Sequence, residues 1–217
     1  MTAPAAGALI VFARAPRPGR VKTRLAATLG TTKAAEIYAT LLDHALTLAP
    51  PGCFAARYLF CAAADERDYF AARLAHDNWR VAVQWGDDLG TRMFNAFEAV
   101  LAEARFAVLM GSDIADSTTA DLRQAHAMLA ADTRHAVIGP VADGGYWLLG
   151  LAQVRRAYFT DIAWGSGDVL AATQTRLQRG GLRVQRLAQR HDVDVAADIA
   201  YLPAGAGGVV SDADERH

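Results

Sequence analysis

Apolar residues fall into short unbroken runs, separated by longer stretches in which they recur every three or four positions. The runs at 8–13 and 106–110 predict strands that are buried on both faces, because apolar and polar residues do not alternate within them. The stretch from 31 to 48 places its apolar side chains along one stripe of a helix. This alternation of strands and helices predicts an α/β fold whose mostly parallel sheet is covered on both faces.

The same patterns predict the other elements of the chain. Strands are predicted at 57–62, 81–85, 136–139, 146–151 and 182–187, and helices at 66–76, 91–104, 119–130, 168–179 and 196–202. The strands at 136–139 and 146–151 are joined without a helix, so one antiparallel strand is expected there. Ligands of such sheets bind at the carboxyl ends of the strands. The loops expected there are 14–24, 86–92, 111–116, 141–145, 164–168 and 191–194.

Composition indicates one soluble domain. The chain has 217 residues, of which 53% are hydrophobic and 21% charged, and this suits a single core over 1–202. The Gly/Ala-rich and then acidic segment 203–217 has little to bury and is predicted to be disordered. The net charge of −1 gives no general reason to bind nucleic acid or anionic membranes. The sequence shows no basic signal region and no run of the roughly 20 apolar residues that span a membrane, so a cytoplasmic location is expected.

The loop after the first strand concentrates positive charge. Five cations stand within the eleven residues 14–24, and Gly19 permits close approach of the backbone. Such a loop can cradle a diphosphate and neutralise a phosphate leaving group. A solvated basic loop or a nucleic-acid patch is the alternative, and neither the Walker A nor the GxGxxG pattern is present. The candidate nucleotide-binding residues here are Arg14, Gly19, Arg20, Lys22 and Arg24, and Lys22 is also the candidate catalytic cation.

Aspartates follow two of the predicted strands. Asp113 and Asp116 come directly after the strand at 106–110, where carboxylates can hold Mg²⁺ or Mn²⁺. Asp192 and Asp194 lie two residues apart, on one face of an extended segment, and can add a second metal contact. Capping of turns and helices is the alternative for such residues, and it is favoured for Asp198. The predicted metal ligands are Asp113 and Asp194.

Two further loops carry candidate ligand contacts. Asp143, Gly144 and Gly145 precede two aromatic residues, so the backbone can approach a sugar or base while a ring stacks on it. A tight turn with core aromatics is the alternative. Asp88 is a candidate nucleotide contact or a helix cap, and Trp164 lies in a polar, Gly-rich loop. The histidines form no HExxH motif and no serine stands in a GxSxG elbow.

Four segments together resemble the bacterial DUF2064 family of glycosyltransferase-like proteins, within the nucleotide-diphospho-sugar transferase superfamily. Residues 12–25 resemble F-x-K-x-P-x-P-G-x-V-K-T-R-L, and residues 84–93 are similar to Q-x-G-x-D-L-G-x-R-M. Residues 139–146 match G-P-A-x-D-G-G-Y, and residues 192–198 are similar to the start of D-x-D-T-x-x-D-L. The resemblance covers about 8–202.

The resemblance implies a GT-A-like fold, a three-layer α/β/α sandwich with the nucleotide over the basic loop and a metal at Asp113. The chain departs from the family pattern at three places. Arg14 replaces a lysine, 111–116 reads GSDIAD in place of G-T-D-C-P-D, and 164–167 reads WGSG where W-S-T is usual.

Three functions follow as hypotheses. The first is a metal-dependent glycosyltransferase that takes a nucleotide-diphospho-sugar and a small-molecule acceptor, with Asp143 as the general base on the acceptor side. The second is a nucleotidyltransferase that joins an NTP to a small phosphorylated acceptor and releases pyrophosphate. The third is a non-catalytic nucleotide sensor. Base, sugar, acceptor, stereochemical course and oligomeric state are left open by the sequence.

Overall fold

A computed structural model describes residues 7–50 and 52–202, so the predicted tail at 203–217 lies outside the described residues. Seven strands form one sheet: β1 (Ala8–Ala13), β2 (Ala56–Cys61), β3 (Trp79–Val83), β4 (Ala107–Gly111), β5 (His135–Pro140), β6 (Tyr146–Leu151) and β7 (Arg183–Arg186). Their order is β3-β2-β1-β4-β6-β5-β7. Only β6 runs antiparallel to its neighbours, β4 and β5, which confirms the mostly parallel sheet with one antiparallel strand.

Six α-helices accompany the strands within the described ranges: α1 (Thr23–Leu29), α2 (Thr31–Thr47), α3 (Arg67–Arg73), α4 (Leu89–Leu101), α5 (Thr119–Ala131) and α6 (Val169–Arg179). Successive side chains of β1 point to opposite faces of the sheet. Leu9 and Val11 join a core with α2, α3 and α5, whereas Ile10 joins a second core with α4 and α6. The molecule therefore has the three layers that were expected. Among the described helices, none combines the length and the apolar character that crossing a membrane requires.

Three elements differ from the sequence-based prediction. Helix α1 was not predicted, and its first two residues fall in the predicted loop 14–24. It leaves little signal in the sequence, because it lacks a side-chain N-cap and buries only Leu25. Strand β3 begins two residues earlier than predicted; it lies at the sheet edge and is only partly buried, which weakens its apolar pattern. The last predicted helix is a 3-10 helix, Ala196–Tyr201.

Candidate active site

A cleft of about 800 Å³ opens at the carboxyl ends of the strands. Phe12 and Ala13 line it from the end of β1, and Gly111 from the end of β4. Ala62 and Gln84 directly follow β2 and β3 and line it too. This is the edge of the sheet at which the sequence predicted ligand binding.

The basic loop supplies four cations to this cleft, namely Arg14, Arg20, Lys22 and Arg24. Arg17 lies outside it and pairs with Asp65. Gly19 lies in the turn that joins Arg17 to Arg20 and is not among the residues that line the cleft. The concentration of charge predicted from the sequence therefore faces one cavity, apart from Arg17.

Tyr38 holds the start of this loop, and its contribution was missed in the sequence. Its hydroxyl accepts a hydrogen bond from the Arg14 backbone N–H at 2.9 Å and shares another with the Ser112 hydroxyl at 2.7 Å. Tyr38 also lines the cleft. The helical periodicity of α2 counted Tyr38 as a core residue, which is correct for its ring; no sequence pattern marked the hydroxyl.

Lys22 joins the basic loop to the predicted metal ligands. Its Nζ donates to Asp113 Oδ2 at 3.0 Å and to Asp194 Oδ1 at 2.9 Å, and only 5% of the side chain is exposed. Burial by itself lowers the pKa of Lys22, but the two carboxylates outweigh it and raise the pKa to about 12. The backbone of Lys22 adopts the left-handed conformation, with φ 47° and ψ 50°. Non-glycine residues rarely adopt this conformation, and those that do cluster at functional sites.

Negative charge gathers opposite the basic loop. Burial raises the pKa of Asp194, but Lys22 and Arg24 outweigh that effect and lower it. Asp192 lies two residues before Asp194. Its pKa is raised mainly by burial, and further by the negative charges of Asp194, Asp113 and Asp143. Asp192 therefore lies in a negative field, whereas the charge of Asp194 is already balanced by Lys22 and Arg24.

The loop that carries Asp192 and Asp194 is fixed by the segment after β4. The Ala115 backbone N–H donates to the His191 carbonyl at 2.9 Å. Asp116 accepts from the backbone N–H of His191 at 2.8 Å and from its Nδ1 at 2.9 Å. Asp116 therefore holds the His191 loop in place. This structural role is of the kind that the sequence analysis gave as the alternative to metal binding. Asp198 lies in the first turn of the last helix, where it was predicted to support that turn. Its carboxylate accepts from the backbone N–H groups of Asp194 and Val195, just before the helix, each at 2.8 Å.

The other predicted contacts lie at the rim or beside the cleft. Asp88 lines the cleft, and its carboxylate caps α4 by accepting from the Thr91 N–H at 2.7 Å. Asp143 and Gly145 line a separate, adjoining cavity of about 240 Å³. Gly144 packs against the start of α6, where its carbonyl accepts from the Leu170 N–H at 2.8 Å. The structure does not bring Asp143, Gly144 or Gly145 into the cleft itself.

The chemistry of Asp113 and Asp194 suits a divalent cation. Carboxylate oxygens are the ligands that Mg²⁺ and Mn²⁺ prefer, and these two carboxylates already share one cation, the ammonium of Lys22. Within 7–50 and 52–202, no set of three His, Cys, Asp or Glu side chains is placed to hold a metal. Further ligands would have to come from a bound phosphate or from water.

Comparisons with known proteins show the family and the fold. A family model described as an uncharacterised protein conserved in bacteria (DUF2064) matches residues 48–166. A crystal structure from Desulfovibrio desulfuricans, described as a "putative nucleotide-diphospho-sugar transferase", is 33% identical with a TM-score of 0.82. It covers 89% of this chain and 84% of its own. No curated protein matched the sequence.

Two more distant structures share the fold. Rv0371c from Mycobacterium tuberculosis, in complex with manganese, is 24% identical with a TM-score of 0.51 and covers 91% of this chain and 97% of its own. CMP:2-keto-3-deoxy-manno-octonic acid synthetase, in complex with CTP, is 12% identical with a TM-score of 0.52 and covers 90% and 95%. The family model spans more than half of the described sequence and the first structure nearly all of it, so the chain belongs to the bacterial DUF2064 family, within the nucleotide-diphospho-sugar transferase fold.

Proposed function

We propose that this protein is a metal-dependent transferase that binds the diphosphate of a nucleotide-diphospho-sugar in the 800 Å³ cleft. One observation carries the proposal: Lys22 of the basic loop meets Asp113 and Asp194 in one cleft, although the three lie far apart in sequence. A bound phosphate requires a cationic donor, and its metal ion requires carboxylate ligands. This cleft holds both.

Unpaired cations supply the phosphate contacts. Arg14, Arg20 and Arg92 line the cleft, and within the described part of the chain none of the three forms a salt bridge. Arg92 is oriented by its Nε, which donates to the Gly86 carbonyl at 2.9 Å. Guanidinium groups bind phosphate oxygens in pairs. These arginines can therefore take the diphosphate without breaking an existing ion pair.

Asp113 and Asp194 are the residues that would hold Mg²⁺ or Mn²⁺. When bound, such an ion neutralises charge on the phosphates. The Lys22 ammonium, which pairs with both carboxylates in the structure, would lie beside the phosphates and could donate to one of their oxygens. Lys22 is then the catalytic cation of the proposal, because it stabilises the leaving diphosphate.

The favoured reaction is glycosyl transfer. The bond between the sugar carbon and the diphosphate oxygen breaks, the nucleoside diphosphate leaves, and a hydroxyl of the acceptor bonds to that carbon. Asp143 takes the hydroxyl proton as the general base. The similarity to the Desulfovibrio protein, at 33% identity over most of both chains, supports this choice of donor.

Nucleotidyl transfer is the second candidate, and the density of cations favours it. Arg20, Lys22 and Arg24 stand at alternate positions of one segment, and all three line the cleft. A triphosphate carries more charge than a diphosphate and would use them all. The shared fold with a synthetase bound to CTP supports this alternative.

The test compares Lys22→Met with a control, Arg17→Met, whose cation lies outside the cleft. Thermal unfolding is measured with UDP, GDP, ADP and CDP sugars and with the four NTPs, each with Mn²⁺. We expect at least one ligand to stabilise the wild type and Arg17→Met equally, and its affinity for Lys22→Met to fall about tenfold or more. Equal binding by Lys22→Met, or no stabilising nucleotide, would overturn the proposal.

Products then separate the two reactions. The stabilising nucleotide is incubated with a panel of acceptors, and both pyrophosphate and nucleoside diphosphate are quantified. Release of nucleoside diphosphate from a nucleotide sugar that depends on an acceptor establishes glycosyl transfer. Release of pyrophosphate from an NTP that depends on an acceptor establishes nucleotidyl transfer.

A further inference from the structure

A second cavity of about 240 Å³ adjoins the nucleotide cleft. Phe12, Leu89 and Gly111 line both spaces, so the two lie side by side. Asp143 stands in the wall of the second cavity and not of the first. We call the second space the side cavity.

We propose that the side cavity binds the acceptor, and that the acceptor is a compound with a flat apolar ring whose reacting oxygen points towards Asp143 and the cleft. The inference rests on the proposed function for the role of the ligand as acceptor. The binding of an apolar ring follows from the cavity itself and can be tested separately.

The walls exclude a hydroxyl-rich ligand. Buried apolar side chains make up the floor, including those of Met93, Leu109, Leu149 and Val169. A sugar bound there would lose water from several hydroxyls, and each buried hydroxyl without a partner is costly. Within the described residues, the lining side chains that carry a polar atom are those of Asp143, Tyr146, Trp147, Trp164 and Ser166. An apolar ring, by contrast, gains from leaving water at this surface.

Trp164 forms one wall, and the fold holds it in place. A Cβ atom at Gly90 would lie 2.6 Å from Cζ2 of the Trp164 ring and 2.8 Å from the Phe159 carbonyl. The indole therefore packs directly on the backbone of α4 at its first turn. A ring fixed in this way offers a preformed stacking surface, which costs little entropy when the ligand binds.

Leu89 stands where the two spaces meet. It is the first residue of α4 and is 46% exposed, which is unusual for a leucine that lines two cavities. A ligand that extends from the cleft into the side cavity would cover it. A ligand in either space covers part of Leu89, and ligands in both cover the most, which favours an acceptor lying next to the nucleotide.

Tyr146 lines the side cavity, and its hydroxyl is deeply buried. The hydroxyl donates to the Met93 sulfur at 3.7 Å, and a thioether is a weak acceptor. Burial raises the pKa of Tyr146 above its ordinary value, so the hydroxyl stays protonated at neutral pH and adds no charge to the cavity wall.

The size of the side cavity fits one substituted ring. A dry cavity of about 150 Å³ lined by aliphatic and aromatic side chains holds a benzene molecule. At about 240 Å³, the side cavity has room for such a ring and a few more atoms. A much longer apolar group, such as a polyprenyl chain, would have to extend into the cleft.

The test uses 4-nitrophenyl phosphate as the probe. Glycerol 3-phosphate and inorganic phosphate serve as comparison ligands that carry a phosphate but no apolar ring. Binding to the full chain is measured by isothermal titration calorimetry, alone and with the nucleotide that stabilises the protein most. We expect 4-nitrophenyl phosphate to bind about tenfold or more tightly than either counterpart, because its ring leaves water. We expect saturating nucleotide to weaken the binding of all three phosphates, because it occupies the cations of the cleft, while 4-nitrophenyl phosphate remains the tightest of the three.

Two variants assign the preference to the side cavity. Trp164→Ala removes the stacking wall, and Gly90→Ala displaces the same ring without removing it; each should abolish the preference while nucleotide still stabilises the protein. Tyr69→Ala is the control, since it removes an exposed aromatic residue of α3 that lines neither space. Circular dichroism spectra verify that each variant is folded.

Three results would overturn the inference: equal affinities for the three phosphates, an unchanged preference in folded Trp164→Ala and Gly90→Ala, or displacement of the probe by a nucleoside. The last would make the side cavity the site of the base. Failure of the proposed function has a different signature, because no nucleotide would then stabilise the protein while the ring preference persisted.

Discussion

Lys22 combines three properties that rarely occur together at one residue. Its backbone is left-handed, its side chain is almost fully buried, and its ammonium bridges two carboxylates. The left-handed backbone costs conformational free energy and the burial of the ammonium costs desolvation free energy. The two ion pairs offset the desolvation. Because its pKa is about 12, Lys22 stays charged throughout the physiological range.

His126 makes stability depend on pH at a distance from the site. Its Nε2 is buried without a hydrogen-bond partner among the described residues, between the rings of Phe54 and Phe106 at 5.5 and 5.0 Å. Burial lowers its pKa below the ordinary 6.5. Below pH 6.5 the unfolded chain then binds more protons at this residue than the folded chain does, so its contribution to stability falls as the pH falls.

We expect His126→Phe to weaken this pH dependence. The free energy of unfolding is measured by urea titration at pH 7.5 and 5.5, and the loss on acidification should be smaller in His126→Phe than in the wild type. His76→Gln provides the control, because His76 is exposed. An equal loss in His126→Phe and the wild type would contradict the role of His126.

At the scale of elements, the contact between the Asp143 loop and the segment that leads into α6 depends on Gly144. Gly144 has φ +87°, and a Cβ there would lie 1.9 Å from the Gly167 carbonyl oxygen. Backbone lies on both sides of this contact, so neither side can rotate away. The loop can therefore approach α6 only with glycine at 144, and this packing sets the position of Asp143.

Gly144→Ala should destabilise the fold by about 2–4 kcal/mol, from the left-handed backbone together with the clash. Gly165→Ala is the matched control: its φ is +89°, but nothing lies within 4 Å of its added Cβ, so it should cost only about 1 kcal/mol. Urea unfolding of both variants gives the comparison. Equal losses would show that the close approach to Gly167 is not needed.

At the scale of the whole molecule, the cleft depends on segments that the fold brings together from three parts of the chain. The basic loop follows β1, Asp113 follows β4, and Asp194 belongs to the segment after β7. The antiparallel β6 separates β4 from β5 in the sheet, and β7 pairs with β5. The backbone contact between Ala115 and His191 then closes the distance between the last two segments.

We expect nucleotide and Mn²⁺ to stabilise the protein together by more than the sum of their separate effects. A ligand at one hundred times its Kd stabilises by about 2.7 kcal/mol, or roughly 5–10 °C in Tm for a chain of this size. Asp113→Asn should remove the part due to Mn²⁺ and leave most of the nucleotide effect. Asp68→Asn, an exposed change on α3, should retain both, and an unchanged Mn²⁺ effect in Asp113→Asn would contradict the assignment.

The sequence by itself determined the layers, the strands and the loops that carry chemistry. Buried strands need unbroken apolar runs, amphipathic helices need a 3.6-residue period, and turns need glycine and proline, so these features are local and legible. The basic loop and Asp113 were predicted for the same reason, because their positions after β1 and β4 follow from the order of elements. Edge strand β3 and helix α1 were shifted or missed, because they bury too little to leave a clear pattern.

Only the tertiary structure decided what the polar residues contact. Asp113 and Asp116 lie three residues apart after the same strand, yet Asp113 binds Lys22 and Asp116 anchors His191. Likewise, Gly144 serves packing against α6, whereas Asp143 beside it faces the side cavity. These differences arise from distances between segments far apart in the chain, and such distances are fixed by packing of the whole core and not by local sequence.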